Sequence, residues 1–145
     1  MTEPDGGSLA SQAYVPIVLE HYRRPRNFGT LDAPTASGEG ANPLCGDRIR
    51  IDLAVRNDRV EAARFRGDAC AIAVAAASLL TEHVTGRLLR DVAALGEDDI
   101  LALLGADIPA ARRRCAMLPL DVLQTAMRAS QLGQASKSVI PHDLP

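Results

Sequence analysis

The chain has 145 residues, 47% of them apolar, which is enough for one domain with a real core and excludes wholesale disorder. Its formal net charge of −2 gives no electrostatic case for binding nucleic acid or an anionic membrane, so neither partner is expected. The only lysine is Lys137, which excludes a catalytic lysine in the core.

The opening segment and the cysteine content indicate a reducing compartment. Met1 to Ser11 is polar, so no secretory leader is predicted. The longest apolar run, Ala69 to Ala77, falls well short of the roughly 20 residues that a membrane helix needs. Three cysteines, far apart and without a leader, argue against a disulfide framework. We therefore expect a cytoplasmic protein whose free thiols are buried small hydrophobes, catalytic groups or metal ligands.

Residues 1–12 are predicted to be a mobile tail, residues 13–130 a single domain, and residues 131–145 a polar C-terminal tail. The domain opens with an amphipathic helix over Tyr14 to Tyr22, in which Pro16 suits the first turn. His21 lies near the end of this helix and is expected at the surface, where the helix dipole favours a cation. A loop follows, with an edge strand predicted near residues 36–41.

The alternation of apolar and polar residues from Ile49 to Val55 predicts a strand with one buried face. Asn57 and Asp58 are suited to a tight hairpin turn, after which Val60 to Arg66 returns as the partner strand. The sequence therefore predicts an antiparallel hairpin in the middle of the chain.

Helices are predicted for most of the second half. Asp68 is expected to cap a helix that runs to about Thr85, with Cys70 in its first turn, where the helix dipole favours thiolate over thiol. Two short helices should follow, over residues 88–95 and 99–104. Pro119 either kinks one further helix or opens the next, and apolar residues recur beyond it at the spacing of a helical core stripe.

The turn that contains Cys45, Gly46 and Asp47 is the first candidate site. It places a thiol and a carboxylate two residues apart, and Gly46 gives the backbone the freedom to bring both groups toward one point. Thiolates prefer soft or borderline metals, whereas a carboxylate is a harder and more weakly held ligand for them. The triplet alone is weak evidence, but Cys70 and Cys115 are also predicted at element boundaries, where a side chain can project from the core. No oriented Ser/His/Asp set is present to support a hydrolase.

Four blocks of the sequence, in this order, resemble the iron–sulfur cluster assembly scaffolds of the IscU, NifU N-terminal and SufU type. Each block is modest alone, but four in register are specific, and they span almost everything from residue 14 to about residue 130. The blocks are Tyr14 to Gly29 (YVPIVLEHYRRPRNFG), Asn42 to Asp47 (NPLCGD), Phe65 to Gly86 (FRGDACAIAVAAASLLTEHVTG) and Cys115 to Met127 (CAMLPLDVLQTAM).

The resemblance implies an α+β fold in which a three-stranded antiparallel sheet packs against several helices, with a metal site at one end. It also implies the ligands of that site, which are Cys45, Asp47, Cys70 and Cys115. On them a [2Fe–2S] cluster would be assembled from iron and from sulfur delivered as persulfide by a cysteine desulfurase. The cluster would then pass to an acceptor apo-protein or carrier. The expected role is therefore that of a binding and transfer scaffold rather than a turnover enzyme, and a second copy of the chain is a candidate partner.

Arg114 departs from the family pattern, because many IscU-type members carry a histidine at this position, just before the last cysteine. An arginine here is typical of SufU-like sequences, although the longer SufU insert between the second and third cysteines is missing. The segment that recruits a chaperone in IscU systems (LPPVK) is also altered here, to Ile108–Arg112. We expect Arg114 and Gly46 to lie next to the ligands.

Two alternatives to the scaffold remain open. In the first, Zn²⁺ on the same three thiolates and Asp47 makes the protein a sulfurtransferase, with Cys115 as the candidate persulfide acceptor. In the second, the zinc is purely structural. That reading fits poorly, because the hairpin and helices should form a core without metal.

Overall fold

The computed structural model describes the backbone of residues 16–44, 46–105 and 108–143, and side chains as far as residue 130. The helices are α1 (Pro16–Arg23), α2 (Ala71–Val84), α3 (Leu89–Ala93), α4 (Glu97–Leu104) and α5 (Ala110–Asp143). The strands are β1 (Ala36–Asn42), β2 (Asp47–Arg56) and β3 (Arg59–Asp68). The predicted tail over residues 1–12 lies outside the described residues, and the predicted domain boundaries stay predictions.

The three strands form one antiparallel sheet in the order β1-β2-β3, which confirms the predicted fold class. The predicted hairpin is also confirmed. Asn57 and Asp58, at its turn, have φ of 54° and 60°, in the left-handed region that Asn and Asp tolerate better than most residues. One irregularity in the β2–β3 register lies between Ala54 and Val55.

The core lies on one face of this sheet. Ile49, Ile51 and Leu53 of β2 point toward the helices and are almost completely buried. Most of α2 is buried, against α1, α5 and β3, and its run of alanines allows close packing. Helix α5 approaches β1 even more closely. A Cβ at Gly38 would lie 2.6 Å from the carbonyl oxygen of Val122, so only glycine fits there.

The predicted start of α2 was wrong. Asp68 is the last residue of β3 and does not cap the helix, whereas Cys70 occupies the N-cap position itself. The expectation that Cys115 would lie at an element boundary was also wrong, because α5 begins at Ala110 and places Cys115 inside the helix. The helix continues through Pro119 rather than starting anew there, although proline cannot donate the intrahelical hydrogen bond to the carbonyl of Cys115.

His21 is buried rather than at the surface, which corrects the prediction for this residue. Its Nδ1 lies 2.7 Å from the Oγ of Ser78 on α2, and the backbone N–H of Arg26 donates to the same Oγ at 2.8 Å. Burial is the main cause that lowers the pKa of His21, and the nearby charge of Arg26 adds to it. His21 therefore links α1 to α2 through a buried side-chain hydrogen bond.

Within the described parts of the chain, no helix is both long enough and apolar enough to cross a membrane. The backbone of α5 extends into the predicted polar tail, as far as Asp143.

Candidate metal centre

Three elements meet at one end of the sheet and bring together three of the predicted ligands. Asp47 is the first residue of β2, Cys70 precedes α2, and Cys115 lies on α5. One ligand atom from each, a carboxylate oxygen and two sulfurs, lies within 4.8 Å of the others. Cys70 and Cys115 follow Asp47 by 23 and 68 positions in the sequence, so the fold brings the three residues together. The group is capable of holding a metal ion.

The two oxygens of Asp47 have different environments. Oδ1 accepts a hydrogen bond from the backbone N–H of Cys70 at 2.9 Å, which fixes the carboxylate against the start of α2. Oδ2 is buried and has no hydrogen-bond partner among the described residues. Asp47 as a whole is only 3% exposed. Leaving a carboxylate oxygen in this condition is costly unless a cation or a donor satisfies it. The orphaned oxygen, with two sulfurs beside it, therefore fits a metal ion.

Cys70 and Cys115 differ sharply in their exposure. Cys70 is partly exposed, and its side chain makes no capping hydrogen bond to α2. Cys115 is fully buried and belongs to the hydrophobic core cluster. Of the three described ligand residues, Cys70 alone is open to solvent to any substantial degree, so it is the described ligand that another molecule can reach.

Cys45 lies outside the described residues, but the turn around it is described. Asn42 organises that turn, because its side-chain Oδ1 accepts from the N–H of Leu44 at 3.2 Å and its carbonyl accepts from the N–H of Gly46 at 2.8 Å. Gly46 has φ of +75° with open space where a Cβ would project, so the backbone angle, not crowding, favours glycine. The role of Asn42 was not predicted, although an Asn-Pro pair is a known signal for a turn.

Arg114 is exposed and lines a groove of about 400 Å³ between the β1–β2 turn and the start of α5. Asn42 and Pro43 form one wall of this groove, so it lies beside the turn that carries Cys45. Its neighbour Arg113 lines the same groove and is paired there with Glu97, with Nη1 3.2 Å from a carboxylate oxygen. The groove thus places Arg114 near the β1–β2 turn, and its predicted place beside the ligands stays a prediction.

Comparison with known proteins gives a consistent result. The family model described as the NifU-like N terminal domain matches residues 13–135. The scaffold protein IscU of Escherichia coli is 34% identical over 119 residues, covering 79% of this chain and 91% of that protein. The zinc-dependent sulfurtransferase SufU of Bacillus subtilis is 30% identical over 137 residues, covering 83% of this chain and 92% of that protein.

A longer relative is the bifunctional protein NifU/MnmA of Rubrobacter xylanophilus, which is 38% identical over 116 residues. The match covers 79% of this chain but only 24% of that protein, so the similarity concerns one part of it. Among solved structures, a NifU-like N-terminal protein from Brucella abortus has a TM-score of 0.70 at 20% identity, covering 85% of this chain and 97% of that one. At this identity the structural match supports the fold alone.

Proposed function

Because the chain belongs to the family of the NifU-like N-terminal domain, we propose that it is a scaffold for assembling and transferring an iron–sulfur cluster. The cargo is a [2Fe–2S] cluster, built from iron and from sulfur that a cysteine desulfurase supplies, and then passed to an acceptor protein or carrier. The ligands we propose are Cys45, Asp47, Cys70 and Cys115. A cytoplasmic location and a homodimer around a shared cluster are parts of the same proposal.

The observation that carries this proposal is the buried Oδ2 of Asp47, which has no partner among the described residues and lies beside two cysteine sulfurs. A hydrophobic core gains nothing from an orphaned carboxylate oxygen, whereas a metal-binding site requires a ready donor atom. The hydrogen bond from Cys70 to Oδ1 leaves Oδ2 as the oxygen available to a metal. The position of the carboxylate is therefore already set by the protein before any metal arrives.

The ligand set also suits a site that must release its cargo. Clusters that stay in place are normally held by four thiolates. A carboxylate in one of the four positions is a harder ligand and holds iron less firmly. Because Cys70 is the exposed ligand among the three described, a donor or an acceptor has access to one sulfur without unfolding the core. Weak retention and one exposed sulfur together favour transfer over storage.

The second candidate function is a zinc-dependent sulfurtransferase, and the compactness of the three ligand atoms favours it. Tetrahedral zinc, with bonds of about 2.0–2.3 Å, holds its ligand atoms roughly 3.3–3.8 Å apart. The observed limit of 4.8 Å needs only a small contraction to reach that range. Arg114, in the position typical of SufU-like sequences, points the same way. Cys115 is fully buried, so it would accept persulfide only after the first turns of α5 move.

Anaerobic reconstitution separates the two functions. The full chain is incubated with a cysteine desulfurase, cysteine, ferrous iron and dithiothreitol, which reduces the persulfide sulfur to sulfide, and the visible absorption spectrum and bound metal are measured. A scaffold gains sulfur-to-iron charge-transfer bands and about two irons per cluster. A colourless product that keeps one tightly bound zinc per chain, and that accelerates desulfurase turnover, would overturn the scaffold in favour of the transferase. A third result, with neither metal bound, would contradict both.

A further inference from the structure

The sheet has a second face, which no helix covers among the described residues. Its side chains come from alternate positions of the strands. They are Ser37, Glu39 and Ala41 of β1, Arg48, Arg50 and Asp52 of β2, and Arg64, Arg66 and Asp68 of β3. Four of these nine residues are arginines, whereas the chain as a whole is slightly acidic. This face, which we call the arginine face, therefore differs in charge from the rest of the protein.

The face carries one more arginine than acids, because its four arginines lie among Glu39, Asp52 and Asp68. Arg50 takes up two of the nearby carboxylates, with Nη1 3.1 Å from Glu39 and Nε 3.0 Å from Asp52. Within the described part of the chain, Arg48, Arg64 and Arg66 make no ion pair. Arg66 moreover lies directly opposite Arg50 in the β2–β3 register, a like-charge pairing that disfavours the sheet. The fold itself gains nothing from an arginine at that position.

A groove of about 680 Å³ lies on this face and collects three of the arginines. It is lined by side chains of Arg48, Arg50 and Arg66, by Glu39, and by the ring of Phe28 at one end. Phe28 is 50% exposed, yet its ring is held edge-on against the buried ring of Phe65, with centroids 5.3 Å apart. Backbone hydrogen bonds on either side of Phe28, between Phe65 and residues 27 and 29, hold this segment along the edge of β3. The groove thus combines fixed positive charge with a rigid aromatic surface.

We propose that the arginine face docks an acidic segment of a partner protein, with carboxylates on Arg48 and Arg66 and an apolar side chain against Phe28. Arginine binds carboxylates through two parallel hydrogen bonds, and arginine and aromatic residues are enriched where interfaces gain most of their affinity. A nucleic acid fits less well, because its backbone is bound along an extended basic stripe, whereas the arginines here line one groove of about 680 Å³.

The arginine face lies beside the candidate metal centre. Arg48 directly follows Asp47 in β2, and Gly67, which lines the groove, is three residues before Cys70. A protein seated on the arginine face would therefore lie next to the exposed ligand of the candidate metal centre. The proposal goes beyond the assembly function, since it concerns the chemistry of a partner and holds for either metal.

The test uses the full chain and a fluorescein-labelled peptide in which eight Asp and Glu residues surround one leucine. Binding is followed by fluorescence anisotropy at low and at physiological salt. Arg66→Glu should weaken binding about tenfold, because it reverses a charge in the groove. Arg90→Glu, an equal charge change at an exposed position on α3, should alter it by less than about twofold. Glutamate at position 66 would face Arg50, so the fold should be retained, and thermal unfolding checks this.

Two further measurements keep the proposal falsifiable. Phe28→Ala should weaken binding of the leucine-bearing peptide, and should have little effect on a peptide with serine in place of the leucine. Tripolyphosphate, added at the same total negative charge as the peptide, is the competitor. If it displaces the peptide equally well from wild type and from Phe28→Ala, the groove binds small anions and the proposal is overturned. No binding to the wild-type chain, equal loss in Arg66→Glu and Arg90→Glu, or equal binding of a nine-nucleotide RNA would overturn it as well.

Discussion

The backbone N–H of Cys70 donates a hydrogen bond to the Oδ1 of Asp47 at 2.9 Å, which joins two predicted ligands without any metal. The same carboxylate keeps Oδ2 buried and without a partner among the described residues. Asp47 therefore has a structural role through one oxygen and is available to a metal through the other. Substitutions at this position can separate the two roles.

We predict that Asp47→Asn leaves the metal-free protein at least as stable as wild type but makes the metal-loaded protein less stable than wild type. Asparagine keeps an oxygen for the N–H of Cys70 and removes a poorly compensated buried charge, so the metal-free variant should unfold at least as late as wild type. Asp47→Ala also loses the acceptor and should be less stable than the asparagine variant by about 1–3 kcal/mol. Chemical denaturation with and without zinc measures both effects. A metal-free asparagine variant that is clearly less stable than wild type would contradict this account.

The same position tests cargo release. If the carboxylate is the weakly held ligand, then Asp47→Ala should slow the loss of a reconstituted cluster, because its departure opens the coordination sphere. The decay of visible absorption in the presence of a chelator gives the rate. Asp121→Ala, at an exposed position on α5, is a matched control and should decay like wild type. Faster decay in Asp47→Ala than in this control would refute a labile carboxylate.

Replacing any of the three cysteines with serine should abolish cluster accumulation, but the cost to the fold should differ between sites. Cys70 is partly exposed, so Cys70→Ser should change the free energy of unfolding little. Cys115 is fully buried in the core cluster, and its serine variant should lose about 1–3 kcal/mol, because a hydroxyl replaces a weakly polar thiol. Denaturation curves measure this difference, and Cys115→Ala separates polarity from loss of the sulfur. Cluster formation at wild-type level in either serine variant would remove that residue from the ligand set.

The contact between His21 and Ser78 predicts a loss of stability in mild acid. The Nδ1 of His21 and the backbone N–H of Arg26 both contact the Oγ of Ser78, so the imidazole is held in a buried polar contact between α1 and α2. Burial first and Arg26 second lower the pKa of His21 in the folded protein below 6.5, although Glu82 and Glu20 oppose them. The unfolded chain therefore binds more protons as the pH falls below 6.5, and the stability present above that pH declines.

Melting temperatures between pH 7.5 and 5 check this prediction, since most carboxylates stay ionised in that range. The pKa of His83 is lowered in the same direction, mainly by burial, so His21→Asn should flatten the profile only in part. The double variant with His83→Asn should flatten it further. A profile in His21→Asn that is as steep as in wild type would show that the Ser78 contact does not carry the effect.

Gly38 should be intolerant of even one added methyl group. An alanine Cβ would lie 2.6 Å from the carbonyl oxygen of Val122 and 2.9 Å from the backbone nitrogen of Ala126, so α5 would have to move off β1. We expect Gly38→Ala to lower the free energy of unfolding by about 1–3 kcal/mol or more. Gly96→Ala is the control, because a Cβ added there would meet no atom within 4 Å. Equal melting temperatures for the two variants would contradict the close approach.

Local patterns in the sequence were sufficient for the sheet but not for every side chain around the site. The hairpin followed from strict alternation and from Asn57 and Asp58, which are signals read within a few residues. The burial of His21 depends on its contact with Ser78, which lies 57 positions away in the sequence. A pattern read over a few neighbouring residues cannot predict such a contact. The position of Cys115 inside α5 was missed because Pro119 suggested a boundary, whereas packing of the helix on β1 overrides the proline. The placement of Cys45 stays a prediction.

The unequal exposure of the two described cysteines sets an order of events. Of the two described cysteines Cys70 is accessible and Cys115 is covered, so a protein bringing sulfur and a protein collecting the finished cluster would both contact Cys70. Two proteins cannot contact this one residue at the same time. Sulfur delivery and cluster transfer would then alternate in time. The partner protein that dissociates more slowly would limit how often the cycle repeats.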